Sequence, residues 1–316
     1  TRSSRPGLAI AHSEAALFAV DDLARAGGCG GGDMEDWYSE DLLPEARRGR
    51  PIRLLGELER RILRRGAFSS CPSKAMSQGL GEAYDCAAPS VIYNAFPWSD
   101  RTSLDGLSKD RQGRRRPSIH WYSQTIGKGR GLEELVSALP LIRADAELHV
   151  RGELADGFEA WMQSRIPDRW RDRVFQHPMV RNEELLSRIA EHDIGFAGEV
   201  PYCRSRDLTV TNKILHYLLA GLAVVASETA GQREVQEQAP GAVLLYPSGD
   251  SGALAARLNG LLDSAERLQS AKEAALSAAM GTFCWESQRV RLLGAVARAL
   301  GSQAESTTGR SSGLVR

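Results

Sequence analysis

Short apolar runs alternate with amphipathic stretches along this 316-residue chain. Leu8-Ala9-Ile10-Ala11 reads as a strand that ends at His12-Ser13-Glu14, and residues 15–26 have helical spacing until Gly27-Gly28 stop them. A glycine-rich strand at 29–32 runs directly into Asp33-Met34-Glu35-Asp36-Trp37-Tyr38-Ser39-Glu40-Asp41, a dense acidic cluster with two aromatics. Residues 52–63 form an amphipathic helix with Arg and Glu outward. Ala67-Phe68-Ser69-Ser70-Cys71 reads as a strand. Pro72-Ser73-Lys74 starts the next helix with proline inside its first turn, and Val91-Ile92-Tyr93 is a strand ended by Asn94.

A second series starts at Ser118. The strand 118–123 (SIHWYS) is followed by the loop Gln124-Thr125-Ile126-Gly127-Lys128-Gly129-Arg130-Gly131 and a helix over 132–141. Strands at 146–150, 174–175, 193–197, 223–226 and 242–246 alternate with helices at 158–166, 183–191 (capped by Asn182), 214–220, 252–262 and 265–279. This order predicts an α/β chain of doubly wound parallel sheets. The expected division is a Rossmann-like domain at 1–98, a polar Arg-rich linker at 99–117 and a second Rossmann-like domain at 118–284. A helix at 285–300 returns to the first domain, and 301–316 is a disordered Ser/Gly/Arg-rich tail.

Composition narrows the function classes. Lys plus Arg and Asp plus Glu balance at 40 each, which gives no push toward nucleic acid or acidic lipid, and 42% hydrophobic with 25% charged residues is ordinary for a globular protein. Arg114-Arg115-Arg116 lacks interleaved aromatics and reads as a solvated run, with no nucleic-acid partner. No apolar run reaches the roughly 18–20 residues needed to cross a bilayer. The five cysteines contain no C-x-x-C, which argues for free thiols, no zinc site and a cytoplasmic setting; the first residue is Thr, so a leader stays open.

The densest candidate chemistry lies in Leu208–Val235. Polar residues 209–212 precede a helix whose free N–H groups and dipole make an anion site, and Lys213 adds a point charge. Gly221 closes the helix. An apolar strand then ends in a polar loop at 227–232, at the sheet edge where open α/β sheets bind ligands. An ordinary αβ unit has the same pattern. The acidic cluster likewise reads as a solvated loop or as the lining of a cleft.

In order and spacing, Asn212, Lys213, Tyr217, Ala220, Gly221, Ala226, Ser227, Gly231, Glu234 and Val235 resemble the nucleotide-sugar loop of the GT-B glycosyltransferases, retaining family 4 type (glycosyl transferases group 1). The family's two glutamates in this loop correspond to Leu208 and His216 here, and the N-terminal domain is short, lacking the family's opening strand and its glycine-rich loop. The resemblance implies transfer of a hexose from a nucleotide diphosphate sugar, such as a UDP- or GDP-sugar, to a hydroxyl acceptor, with retention and without a metal or other cofactor. Arg130 aligns with the family's phosphate-binding Lys; the family's Arg position falls near Gln124 or Thr125, with Lys128 and Lys213 as substitutes. His12 resembles the N-domain histidine that faces the donor sugar. Glu35 and Asp36 are candidates for binding or deprotonating the acceptor hydroxyl. The candidate donor contacts are Gln124, Thr125, Lys128, Arg151, His177, Thr209, Thr211, Asn212, Lys213 and His216. Two alternatives are a non-catalytic nucleotide-binding scaffold and a sugar-nucleotide epimerase of the same fold. Peripheral membrane association and oligomeric state stay open.

Overall fold

The computed structural model describes residues 7–311, with side chains through residue 301. The chain forms two units: residues up to Tyr93, Tyr202–Thr209 and from Gln288 onward make the first, and Asn94–Pro201 with Val210–Ser287 the second.

In chain order the first unit opens with β1 (Ala9–Ala11), α1 (Glu14–Arg25) and β2 (Gly30–Asp33). Next come α2 (Pro44–Arg47), α3 (Ile52–Arg65), β3 (Phe68–Cys71), α4 (Lys74–Tyr84) and β4 (Ser90–Val91). The four strands form one parallel sheet in the order β1-β2-β3-β4. The apolar stripes of α1 and α3 bury Leu17, Val20, Leu58 and Ile62 with Met34 and Trp37 from the acidic segment. Ser13 accepts from the Ala16 N–H at the start of α1, and Ser73 from Met76 N at 2.9 Å at the start of α4. Pro72 therefore lies ahead of the cap and outside the first turn where the sequence placed it, because Ser73 takes the extended cap geometry.

The second unit contains β5 (Ser118–Ile126), α5 (Leu132–Ala138), β6 (Glu147–Leu154), α6 (Phe158–Gln163), β7 (Val174–His177), α7 (Asn182–Ile189) and β8 (Ile194–Ala197). After α8 (Arg204–Leu208), which belongs to the first unit, follow α9 (Asn212–Ala220), β9 (Ala223–Ser227), α10 (Ala230–Gln238), β10 (Val243–Tyr246), α11 (Ser251–Leu262) and α12 (Ala265–Met280). Six parallel strands run in the order β10-β9-β8-β5-β6-β7, the reversal of order that marks a doubly wound sheet. Their apolar residues, among them Ile119, Trp121, Val150, Phe196 and Val225, are fully buried. Asn182 is the first residue of α7 and makes no cap bond; Arg181 holds the cap position.

The last helix, α13 (Trp285–Ser311), runs well past Leu300, where the sequence pattern ended it. Of the tail expected to be disordered, residues 312–316 lie outside the described residues. The stretch 98–117 is tied into the second unit: Arg111 pairs with Asp193 at 3.0 Å, Arg116 with Asp145 at 2.8 Å, and Arg114 lies over the Phe175 ring. Arg114 and Arg115 are exposed and Arg116 partly so, as expected of a solvated run, and Arg114 and Arg116 also take these partners.

Candidate active site

In the first unit β1 and β2 end side by side, which brings His12 to Asp33. His12 Nδ1 lies 3.0 Å from Asp33 Oδ2, and the Ser70 hydroxyl donates to Asp33 Oδ1 at 2.6 Å. His12 is exposed, and so is Glu35. Ligand atoms of His12, Asp33 and Glu35 all fall within 4.8 Å of one another. The segment after β2 is fixed from beneath by Glu59 of α3, fully buried. Its carboxylate accepts from Ser39 N at 3.0 Å, Ser39 Oγ at 2.5 Å and Tyr84 OH at 2.5 Å. The Trp37 indole donates to Tyr84 OH, and Trp37 N to Ser205 Oγ of α8. Asp36 is half-buried, and that burial pushes its carboxyl up to about 6; Arg206 opposes the shift while Asp41 and Glu35 add to it. Burial also raises the Glu35 carboxyl, with the Asp33 charge adding to it.

In the second unit Gln124, Thr125, Lys128 and Arg130 lie at the C-terminal end of β5 and on the turn after it, and Thr211, Asn212, Lys213 and His216 lie at the start of α9. A register shift between Tyr122 and Thr125 interrupts β5 at Gln124, which is exposed, with Thr125 half-buried beside it. Lys128 and Arg130 are exposed on the turn that follows. Gly131 closes that turn at φ +83°, and a Cβ there would stand 2.0 Å from the Gly198 carbonyl oxygen, so the turn and the segment after β8 meet backbone to backbone. Lys213 lies in the first turn of α9. Its Nζ is 3.0 Å from Glu199 Oε1 and 5.5 Å from the centre of the Trp121 ring. Thr211 is the N-cap residue of α9, and its buried Oγ1 has no hydrogen-bond partner among the described residues. Asn212 Oδ1 accepts from Asn94 Nδ2 at 3.0 Å. His216 is stacked on Phe96 at 3.5 Å, with Nδ1 2.6 Å from Tyr122 OH, and burial pushes its imidazole down to about 4.

The candidates Thr209, Arg151 and His177 are placed elsewhere. Thr209 belongs to the first unit, where its hydroxyl donates to Ser205 O at 2.7 Å and closes α8. Leu208, at one of the two family glutamate positions, packs against the first unit's core and its carbonyl accepts from Ser73 Oγ. Arg151 is buried and bonds Asp110 and the Pro178 carbonyl. His177 Nδ1 lies 3.4 Å from Asp110 Oδ1, and its Nε2 lies 2.9 Å from His149 Nδ1. Arg151 and His177 thus belong to a buried network with Asp110, His149, His192 and His120. Asp110 comes from the stretch that sequence reasoning treated as a linker. Glu199 and Asp110 were both missed. The signal for Glu199 was its place: it follows β8 directly, at the ligand edge of the sheet.

Two parallel-sheet α/β units of this kind constitute the GT-B glycosyltransferase fold. Residues 117–264, which contain all six strands of the second sheet, match the family model for glycosyl transferases group 1. The structure is similar to the Anabaena protein HepE in complex with UDP (TM-score 0.72, 17% identity, covering 92% of this chain and 78% of that one). It is also similar to sucrose-phosphate synthase from Thermosynechococcus elongatus (TM-score 0.72, 16% identity, 94% and 74% covered). A third similar structure is α,α-trehalose 6-phosphate synthase from Burkholderia multivorans (TM-score 0.69, 13% identity, 98% and 73% covered). No curated protein matches the chain in sequence. Residues 117–264 carry the family match, and the fold is the one these solved structures share. No described helix is long and apolar enough to cross a membrane.

Proposed function

We propose that the chain moves a hexose from a nucleotide diphosphate sugar to a hydroxyl acceptor, with retention of configuration and without a metal ion, in the cytoplasm. One observation carries the reading. Within the segment that matches glycosyl transferases group 1, α9 begins with Lys213 in its first turn, and the segment that holds Glu199 against Lys213 packs on the glycine turn bearing Arg130. Departure of a nucleoside diphosphate develops negative charge, and the chemical task of the site is to meet it. We assign that task to Lys213, Arg130 and the N–H groups at the start of α9, with Thr211, Asn212, Lys128, Gln124 and Thr125 around them. UDP, seen with HepE, is the first nucleotide to test.

In the first unit, Asp36 is suited to accept a proton from an acceptor hydroxyl near neutral pH, because burial lifts its carboxyl to about 6. Glu35 would hold the hydroxyl and His12 would face the donor sugar, its ring steadied by Asp33. The test is calorimetric titration with UDP, GDP and ADP, with Lys213→Ala beside the parent. One nucleotide binds, and the substitution weakens it by about 1.5–3 kcal/mol, the scale of a charged hydrogen bond. Equal affinity in both proteins refutes the phosphate assignment. Binding without acceptor-dependent turnover favours the scaffold reading, and turnover of the nucleotide sugar without an acceptor favours the epimerase.

A further inference from the structure

We propose that Glu199 sets the charge selectivity of the donor site, admitting the nucleotide sugar while disfavouring the free nucleoside diphosphate. The inference rests on the nucleotide-sugar reading above and assigns a specificity-determining residue within it. Lys213 Nζ lies 3.0 Å from Glu199 Oε1, with the two side chains only 14% and 16% exposed. The cation at the start of α9 is therefore already balanced by a carboxylate of the same chain.

The backbone holds Glu199 in place. The Ser227 hydroxyl accepts from Glu199 N at 2.7 Å and donates to Glu199 O at 2.8 Å, and Gln232 Nε2 donates to that same hydroxyl at 2.9 Å. Gly198, one residue earlier, is seated against Gly131. An incoming phosphate can draw Lys213 toward itself, but it cannot displace the segment that carries the negative charge. Burial holds Tyr122 and Tyr246 protonated; Glu199 adds to the effect at Tyr122, and at Tyr246 Glu134 adds more than Glu199 does.

The two ligands of a transfer cycle differ in charge. In a nucleotide sugar both phosphates are esterified and carry about two negative charges together. In the free diphosphate the terminal phosphate has a second ionisation near pH 6, so the total approaches three at neutral pH. A lone Lys213 would favour the more highly charged product and retain it. Glu199 offsets that preference, because the additional charge meets a fixed carboxylate. A unit charge several ångströms from another, at a site partly open to solvent, is worth about fivefold in affinity.

The test measures Kd for UDP and for UDP-glucose on the parent, Glu199→Gln and Glu199→Ala. Both substitutions should tighten UDP more than UDP-glucose, so that the ratio of the two constants shifts about fivefold toward the diphosphate. Partial misfolding lowers the titrated stoichiometry for both ligands alike, while the two constants of the folded fraction still report the shift. If the parent prefers another base, the pairs become GDP with GDP-mannose or ADP with ADP-glucose. An unchanged ratio, or weaker diphosphate binding, overturns the proposal. Failure of the parent to bind any of the three pairs removes the nucleotide-sugar reading itself, and this inference with it.

Discussion

Burial of its histidines predicts that the second unit loses stability as the pH falls. His120, His149 and His192 are at most 1% exposed. The rings of His120 and His192 stack at 4.5 Å, and His149 and His192 lie 4.6 Å apart. Burial lowers all of them, and the neighbouring imidazoles with Arg151 and Arg111 add to it; Asp110 opposes the shift at His149, His177 and His192. Burial and these neighbours bring His192 down to about 4, and burial alone does the same for His216. The folded values lie below the unfolded value of about 6.5, so the neutral histidines contribute stability that is complete above pH 6.5 and is lost as the pH falls toward 4. At pH 5 each of His192 and His216 should have lost about 2 kcal/mol, at 1.36 kcal/mol per pH unit, and the sum of about 4 kcal/mol is a large part of the stability of a domain. Asp110 and Asp193 are held below the usual carboxylate range, so their loss begins at lower pH. Urea unfolding followed by tryptophan fluorescence at pH 7.5, 6 and 5, at fixed ionic strength, measures the effect. His192→Asn should flatten the slope by about one proton. A stability that changes by less than about 1 kcal/mol between pH 7.5 and 5 would refute the reasoning.

Gly131→Ala places a Cβ 2.0 Å from the Gly198 carbonyl at φ +83°. It should cost about 2 kcal/mol or more in thermal stability and weaken nucleotide binding as well; a variant as stable as the parent would mean that the two segments separate easily. Glu59→Ala should lower the stability of the first unit by about 3 kcal/mol, because Ser39 and Tyr84 lose a shared buried acceptor, as read by urea denaturation. His12→Asn should reduce kcat by about a hundredfold with the Kd for the diphosphate unchanged, and parallel loss of both would tie His12 to the fold. Chelation with EDTA should leave turnover unchanged; loss restored by a divalent cation would instead assign one to His12, Asp33 and Glu35.

Much of the fold was legible because parallel strands buried on both faces leave apolar runs that no surface segment imitates, as at Ala223–Ser227. Helix ends were harder to read. Asn182 had the chemistry of a cap, yet the backbone turns one residue earlier, at Arg181. Within the candidate site, the place of Lys213 was legible because it depends on the start of one helix. The network that holds Arg151 and His177 was not legible because their partner Asp110 lies far off in sequence, in a stretch with no periodicity to mark it. Glu199 escaped for a related reason: its meaning depends on a pairing with Lys213 and on a hydroxyl from Ser227, and neither pattern is local. The split of Leu208 and Thr209 from the helix that follows them was also invisible, since nothing in the sequence shows that Ser73 bonds the Leu208 carbonyl.

The backbone contact between Gly131 and Gly198 has a consequence for engineering. The turn after β5 and the segment after β8 fit each other with no side chain between them, so neither can be exchanged alone. A chimera that imports the first turn from a relative of different donor preference must import the matching segment after β8, or keep glycine at both positions. Libraries that randomise Lys128 and Arg130 while holding Gly131 and Gly198 fixed should therefore retain many more folded members than libraries that vary the whole turn.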